Sequence, residues 1–525
     1  MTRTTARRLI VVSNRLPFVV TNDDGGYQVQ PGSGGLVSAL VPVLRERGGT
    51  WIGWPGTEGP PSSELDQVLN DAGAGCGYHL KPVHLTSDEV HDFYQGFSNE
   101  IVWPLFHDLQ SMCNFDPVYW RTYQAVNRKY AEAVAATAGS DDFVWVHDYH
   151  LMNVGAELRA AGSHAKLGFF LHIPFPSLDL FTKLPWCTQL IEALLHFDLI
   201  GFQTARDRRN FMQCVRAMVP AVQFEGKGPV LTATVENRRI RVGAFPISID
   251  FETIVRQTST SEVSKKVVEL RRLLPQYQLM LGIDRLDYTK GIPHRLQAFH
   301  DLLQRCPELR QRISLIQVVV PSRVDIPEYD ELKSTIEQLV GRINGEFMKP
   351  GGWVPVWYVY GHLTPTELLA YYRVADVALV TPLRDGMNLV AKEYCAASID
   401  ENSVLILSEF AGAAAQLRRG ALLVNPYDIE GVAEAIRVAC AMDIADRRTR
   451  MRRLRQSIRR QDVFWWVDAF LDAAFAPDIS GLANDLSHEV DPVIVRAAND
   501  VVEEYPAAAS AAVAPSPRLL VNSTS

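Results

Sequence analysis

Cysteine is scarce in this 525-residue chain: there are seven, an odd number. No two of Cys76, Cys113, Cys187, Cys214, Cys306, Cys395 and Cys440 stand in C-x-x-C spacing. That excludes a disulfide framework and a cysteine-built zinc site, and the thiols read as free in a reducing compartment. Long apolar runs are missing too. Nothing reaches the roughly 18 apolar residues of a membrane span. The apolar run after the basic N-terminus is broken at once by Asn14, Arg15 and Pro17, too soon for a secretory signal, so the cytoplasm is the expected location. There is no excess of positive charge: 52 Lys and Arg against 60 Asp and Glu give a net charge of -8. A mildly acidic chain is not built around a nucleic-acid backbone. Several motifs are also lacking. Neither G-x-G-x-x-G nor the P-loop pattern occurs, there is no G-x-S-x-G elbow, and no histidine pair has metalloprotease spacing. The aspartate-rich D-x-D-G-T pattern of sugar-phosphate phosphatases is absent.

What is present is alternation. Short apolar, β-branched runs recur at Leu9–Ser13, Phe143–Val146, Leu167–Leu171, Leu199–Phe202 and Ile240–Ala244. A second series follows at Leu279–Ile283, Ile313–Val320, Val354–Tyr360, Val377–Thr381, Val404–Ser408 and Leu422–Val424. Runs bounded by turns fit strands buried on both faces of a parallel sheet. Helix-like spacing lies between them, as in Val118–Ala136, Asp330–Phe347, Thr364–Val374 and Ile429–Met442. The pattern predicts α/β architecture in doubly wound layers. The length fits two such sheets, split near residue 248, better than one. Ligands of open α/β sheets gather at the carboxyl ends of strands, so two facing sheets would share a site in the cleft between them.

Four constellations stand at predicted strand ends. In Val380–Tyr394 a strand meets the turn Arg384-Asp385-Gly386 and then a helix from about Asn388. Its amides and positive dipole end suit a diphosphate or sugar hydroxyls, and Glu393 could accept from adjacent ribose hydroxyls. The plainer alternative is a capped strand–helix connection with surface acids. In Gly282–Gly291, Arg285 and Lys290 put two cations on one loop, suited to a diphosphate whose charge grows as a sugar leaves; a solvated loop is the alternative. Arg323 is a further cation at a strand end. Ser13–Pro17 ends the first strand on Arg15, and the glycine-rich Pro31–Leu36 follows, either a phosphate cradle or a plain turn. Val146–Leu151 and Phe170–Pro176 place His147, His150 and His172 past strands, as substrate-binding or structural histidines. Trp51, Trp54, Tyr94 and Trp103 offer aromatic faces suited to sugars, or core packing.

Together, and in this order, the strings SNRLP, WIGWPG, FSNEIVWPLFH, VHDYHL, FLHIPFP, GIDRLDYTKG and LVTPLRDGMNLVAKEY resemble the trehalose-6-phosphate synthases, retaining glycosyltransferases of family 20. The resemblance spans about residues 9 to 425. It implies a GT-B fold of two Rossmann-like domains with the site in the cleft. The N-terminal, acceptor-side domain is expected over 1–247 and the nucleotide-sugar domain over 248–462. A helix over about 463–484 is expected to return to the first domain, with Val463–Ala474 as its candidate, and 485–525 to form a tail that carries no matching motif. The activity implied is transfer of glucose from a nucleotide diphosphate glucose to glucose 6-phosphate with retention of configuration. No cofactor or metal is implied.

The resemblance also implies roles. Arg15, Tyr94, Trp103 and Arg323 would hold the acceptor phosphate, and Trp54 would line the acceptor side. Asp148 and His172 would contact sugar hydroxyls. Gly34 and Gly35 would lie near the donor diphosphate, and Arg285 and Lys290 would neutralise it on departure. Asp385 would bind hydroxyls of the donor glucose, beside the amides of Gly386, Met387 and Asn388. Leu389 and Val390 would approach the diphosphate through their backbone, and Glu393 would bind the ribose. The implied chemistry is front-face internal return, which needs no enzyme nucleophile. Two alternatives stay open: a related synthase acting on another phosphorylated polyol, and a sugar-phosphate sensor without turnover. The donor base, among uracil, adenine and guanine, is open as well. A homo-oligomer, dimer or tetramer, is expected, with no nucleic-acid or membrane partner.

Overall fold

The computed structural model describes residues 7–23, 26–32, 34–60, 62–274, 278–322, 327–348 and 352–477, all within one compact unit, Met1–Asp491. Two large sheets organise them. The first has nine strands, in the order His79–Pro82, Thr50–Trp54, Leu9–Arg15, Phe143–His147, Lys166–Phe170, Leu199–Phe202, Arg238–Ala244, Val230–Val235, Gln223–Glu225. The first seven run parallel and the last two pairings are antiparallel. The second has six strands, all parallel, in the order Val356–Tyr360, Ile313–Val320, Gln278–Arg285, Val377–Val380, Val404–Ser408, Leu422–Val424. Its chain order is 3-2-1-4-5-6, the doubly wound arrangement. The first six strands of the larger sheet follow the same order once the small hairpin Phe18–Asp23/Gly26–Pro31 is set aside.

That order decides where a site can form. The winding direction reverses between the first and fourth strands of each half, and helices leave on opposite faces there, opening a crevice at the strands' carboxyl ends. In the first half the reversal separates Leu9–Arg15 from Phe143–His147, which carry Arg15 and Asp148 at or just past their ends. In the second it separates Gln278–Arg285 from Val377–Val380, which lead to Lys290 and Asp385.

The helix Val463–Phe475 returns to the first sheet because it is apolar on nearly every side. Trp466 and Phe470 are fully buried, and the Phe470 ring stacks on Trp145 with centroids 4.4 Å apart. Gly168 and Gly201 make room: a Cβ on either would come within 2.9 Å of the Phe470 ring. The helix stops at Phe475, short of the expected 484. Pro477 disfavours helical geometry at Ala476, whose ψ is 134°. Residues 478–525, including the tail expected over 485–525, lie outside the described residues.

Some elements had no counterpart in the sequence reading. The glycine-rich segment does not follow the first strand directly, since the hairpin intervenes. Val90–Val102 winds as a π-helix, opened by a reciprocal cap between Thr86 and Glu89. Its wide turns collect at functional sites in other proteins. Here Asn99 donates to the Tyr94 carbonyl at 2.8 Å and accepts from the Tyr149 hydroxyl at 3.1 Å, holding Tyr94 beside the first crevice.

Candidate active site

Two of the residues expected on the acceptor side, Trp54 and Tyr94, gather around Arg15. Strand pairing sets Arg15 beside Trp54, and Tyr130 ties the two strand ends together. Its hydroxyl donates to the Asn14 carbonyl at 2.7 Å and accepts from the Trp54 amide at 3.1 Å. The Arg15 guanidinium lies 4.0 Å from the Trp54 ring centroid and 5.7 Å from that of Tyr94, while the residue as a whole stays exposed. A cation held over aromatic faces with an open side is a ready anion contact. Tyr94 stacks in turn on His150, centroids 5.9 Å apart. Trp103 is buried nearby, its ring 5.9 Å from Tyr149. Trp51 does not join this group. It is fully buried and donates to Ser13 Oγ at 2.8 Å, because its side chain points to the other face of the strand. Arg323 lies outside the described residues.

Asp148 sits at the end of Phe143–His147 with φ 73° and ψ 168°, a conformation that non-glycine residues rarely hold. Its amide donates to the Phe170 carbonyl at 2.8 Å, and its carboxylate accepts from the His172 amide at 3.2 Å. His172 is thereby fixed past the neighbouring strand. Its Nε2 is 3.1 Å from His147 Nδ1, and its Nδ1 3.4 Å from Gln203 Nε2. Burial pushes the His172 imidazole down to about 3, and burial together with His172 lowers His147 as well. Both rings are neutral at neutral pH, so His172 can share hydrogen bonds without adding charge.

The second half supplies the charge. Lys290 Nζ donates to Asp385 Oδ2 at 2.6 Å, with the two side chains only 11% and 15% exposed. Burial pushes the Asp385 carboxyl up; the Lys290 charge and hydrogen bond outweigh it, and the group stays below its usual value. Asn388 Nδ2 also donates to Asp385 Oδ2, at 3.2 Å, while its Oδ1 caps the helix Leu389–Ala397 at the Ala391 amide, 3.1 Å away. Asn388 does this with φ 81°, a second strained residue in the same crevice. Arg285 ends its strand exposed. The sequence suggests two similar loop cations; the structure instead pairs one with a carboxylate and leaves the other facing outward.

Beneath them lies Arg295, fully buried. Its Nη1 donates to Asp284 at 2.6 Å and its Nε to Thr381 Oγ1 at 3.0 Å, joining the two loops from below. Glu393 accepts from the Tyr372 hydroxyl at 2.8 Å, and burial raises its carboxyl. Neither Arg295 nor Tyr372 was legible as a site residue, because each is reached from another element by side-chain direction alone.

The two halves touch at these loops. A Cβ on Gly386 would come within 2.1 Å of the His172 carbonyl oxygen, and one on Gly35 within 2.8 Å of Leu389 Cδ1. Gly34, with φ 134°, opens the helix Gly35–Arg47 there. Met387 is buried and its carbonyl accepts from the Ala413 amide at 2.8 Å; Val390 is half-buried against the core. Arg384 reaches across to Asp108 at 3.5 Å and Asp207 at 4.0 Å. Of the candidate tryptophans, Trp54 lies beside Arg15 and Trp51 does not. Among the described residues no group of His, Cys, Asp and Glu forms a metal-binding cluster, and no helix is long and apolar enough to cross a membrane.

The chain is 42% identical over 471 residues to a trehalose-6-phosphate synthase of Mycobacterium avium, covering 88% of this chain and 94% of that one. It is 44% identical over 473 residues to a bifunctional trehalose-6-phosphate synthase/phosphatase of Thermoproteus tenax, covering 88% of this chain but only 63% of that longer protein. A crystal structure of a UDP-forming α,α-trehalose-phosphate synthase from Burkholderia xenovorans in complex with glucose 6-phosphate superimposes with a TM-score of 0.80 at 36% identity, over 89% of this chain and 99% of that one. The two doubly wound sheets are those of a GT-B enzyme. The sequence profile of glycosyltransferase family 20 matches residues 7–475, and the chain belongs to that family.

Proposed function

We propose that this protein is a retaining glucosyltransferase that moves glucose from UDP-glucose to glucose 6-phosphate, yielding α,α-trehalose 6-phosphate and UDP. The observation that carries the reading is the contact of the Asp385-Gly386 turn with His172, which joins a charged crevice to an aromatic, anion-ready one. The choice of UDP, which the sequence leaves open, is supported by the UDP-forming description of the Burkholderia xenovorans protein.

In this reading Arg15, Trp54, Tyr94, Trp103 and Arg323 receive the acceptor, phosphate foremost. Asp148 and His172 position hydroxyls. Gly34, Gly35, Leu389 and Val390 border the diphosphate, and Glu393, held by Tyr372, takes the ribose. Asp385, Gly386, Met387 and Asn388 hold the donor glucose. Arg285 and Lys290 stabilise the diphosphate as the bond from C1 to its oxygen breaks. The acceptor hydroxyl bonds to C1 on the same face, and its proton passes to the departing phosphate oxygen. No side-chain nucleophile takes part: Asp385 is engaged by Lys290 and Asn388, and His172 is oriented by His147 and Gln203. Catalysis here is positioning and electrostatics.

The proposal includes the residue division given above at 247 and 462, a cytoplasmic setting and a homo-oligomer. Seven free cysteines support the reducing compartment; light scattering reads the assembly. The deciding assay incubates purified protein with UDP-glucose and glucose 6-phosphate, and separately with glycerol 3-phosphate. UDP release with trehalose 6-phosphate in the first mixture alone is expected. Turnover only with glycerol 3-phosphate, or glucose 6-phosphate binding without UDP release, would overturn the reading.

A further inference from the structure

The opposite rim of the first sheet carries cations that this reaction does not use. Lys166 opens the strand Lys166–Phe170, whose far end leads to His172, and Arg239 and Arg241 lie near the start of the strand Arg238–Ala244. Both strands run parallel to Leu199–Phe202 between them, so these residues share the amino-terminal edge of the sheet. With Arg159 and Asp198 they line a cavity of about 450 Å³, closed on one side by Ala474 and Pro477. A strand rise of ~3.3 Å per residue sets Lys166 roughly 20 Å from His172, so the cavity is separate from the cleft.

Part of this charge has a structural role. Asp198 is shared between Arg159 and Arg238, each at 2.9 Å. Arg241 donates to the carbonyls of Ala473 and Ala476, both at 2.5 Å, capping the returning helix. Neither role involves Lys166 or Arg239. Lys166 lies 5.0 Å from the Phe475 ring centroid, and burial, then the nearby Arg241, hold its ammonium below the usual value. Arg239 is exposed on the cavity wall. The single carboxylate lining the cavity is already engaged, so the surplus there is positive.

We infer that this cavity binds a phosphate- or sulfate-bearing anion, with Lys166 and Arg239 as its main contacts. A tetrahedral dianion matches one arginine fork and one ammonium point charge, and it would offset the crowding of like charges around Lys166.

The test is calorimetric titration of the full chain with inorganic phosphate and, separately, sulfate, at constant ionic strength. Wild type is compared with Lys166→Gln/Arg239→Gln and with the single exposed variant Arg239→Glu, all checked for folding by thermal melt. Affinity for at least one of the two anions is expected to fall tenfold or more in both variants, while their KM for glucose 6-phosphate, measured without added anion, stays at the wild-type value. The anion that responds names the source. Wild-type isotherms in the variants, or a parallel rise in that KM, would overturn the inference. Because the comparison is between isotherms, it stands even if the transfer assay fails.

Discussion

Lys290 Nζ and Asp385 Oδ2 are 2.6 Å apart although the residues are 95 positions apart in the chain. They meet because Gln278–Arg285 and Val377–Val380 are hydrogen-bonded neighbours at the point where the second sheet changes winding direction. The Leu383 amide donates to the Thr289 carbonyl at 2.7 Å and locks the loops in register. The pair is therefore set before any ligand arrives, and in the proposed reaction a departing diphosphate would meet a lysine already held in place.

Removing one partner leaves a buried charge uncompensated, which costs about 3–5 kcal/mol. Lys290→Met is expected to lower the melting temperature and to reduce kcat/KM by ~10³ or more. Adding Asp385→Asn should recover stability without activity, since no charge then remains unpaired. Thermal melts and initial rates on the three proteins check this; full activity in Lys290→Met would contradict it.

Gly386→Ala places a methyl 2.1 Å from the His172 carbonyl oxygen and 3.0 Å from Ile173 Cα. Both are backbone atoms, so the loops must separate. A loss of about 1–3 kcal/mol is expected, with a fall in kcat of at least ~10² because the two crevices lose their alignment. Steady-state kinetics beside circular dichroism would separate misalignment from unfolding.

Tyr372→Phe removes the donor to Glu393 and nothing else of comparable size. If Glu393 holds the ribose, KM for UDP-glucose rises about tenfold, the equivalent of ~1.4 kcal/mol, while KM for glucose 6-phosphate is unchanged. An equal rise in both constants would remove Glu393 from the donor side.

Three histidines whose imidazoles are held neutral by desolvation, two of them buried and His172 partly so, predict acid sensitivity. Burial takes His172 down to about 3 and His107 down to about 4, and lowers His147 too. All three titrate near 6.5 once unfolded, so below about pH 6.5 the unfolded chain binds more protons than the folded one. Their contribution is complete above about pH 6.5 and is lost as pH falls, by up to ~1.4 kcal/mol per pH unit for each ring. Melting temperatures from about pH 8 to about pH 5 should decline below pH 6.5, and His107→Asn should flatten the decline. A flat profile in wild type would contradict it.

Much was legible locally. Ile313–Val320, Val404–Ser408 and Leu422–Val424 are strands with the bounds their apolar runs suggest, and the helix expected from about Asn388 starts at Leu389, with Asn388 as its cap. The π-helix Val90–Val102 was not legible, because its apolar residues fit ordinary helical spacing and nothing in the residue pattern marks its wider turns. Trp51 and Trp54 look alike in the sequence, yet Trp51 is sealed in the core and Trp54 lies under Arg15, since adjacent pleats face different layers.

By itself the sequence determined the alternation of strand and helix, the identity of the charged and aromatic residues at strand ends, and the family they resemble. Those depend on periodicity and composition, which are properties of neighbours along the chain. Only the tertiary structure decided that Lys290 is tied to Asp385, that Tyr372 holds Glu393, that Arg295 underpins both loops, and that Lys166 and Arg239 converge behind the returning helix. These pairings join residues far apart in the chain, and their geometry is set by strand order and close packing, which no local pattern encodes.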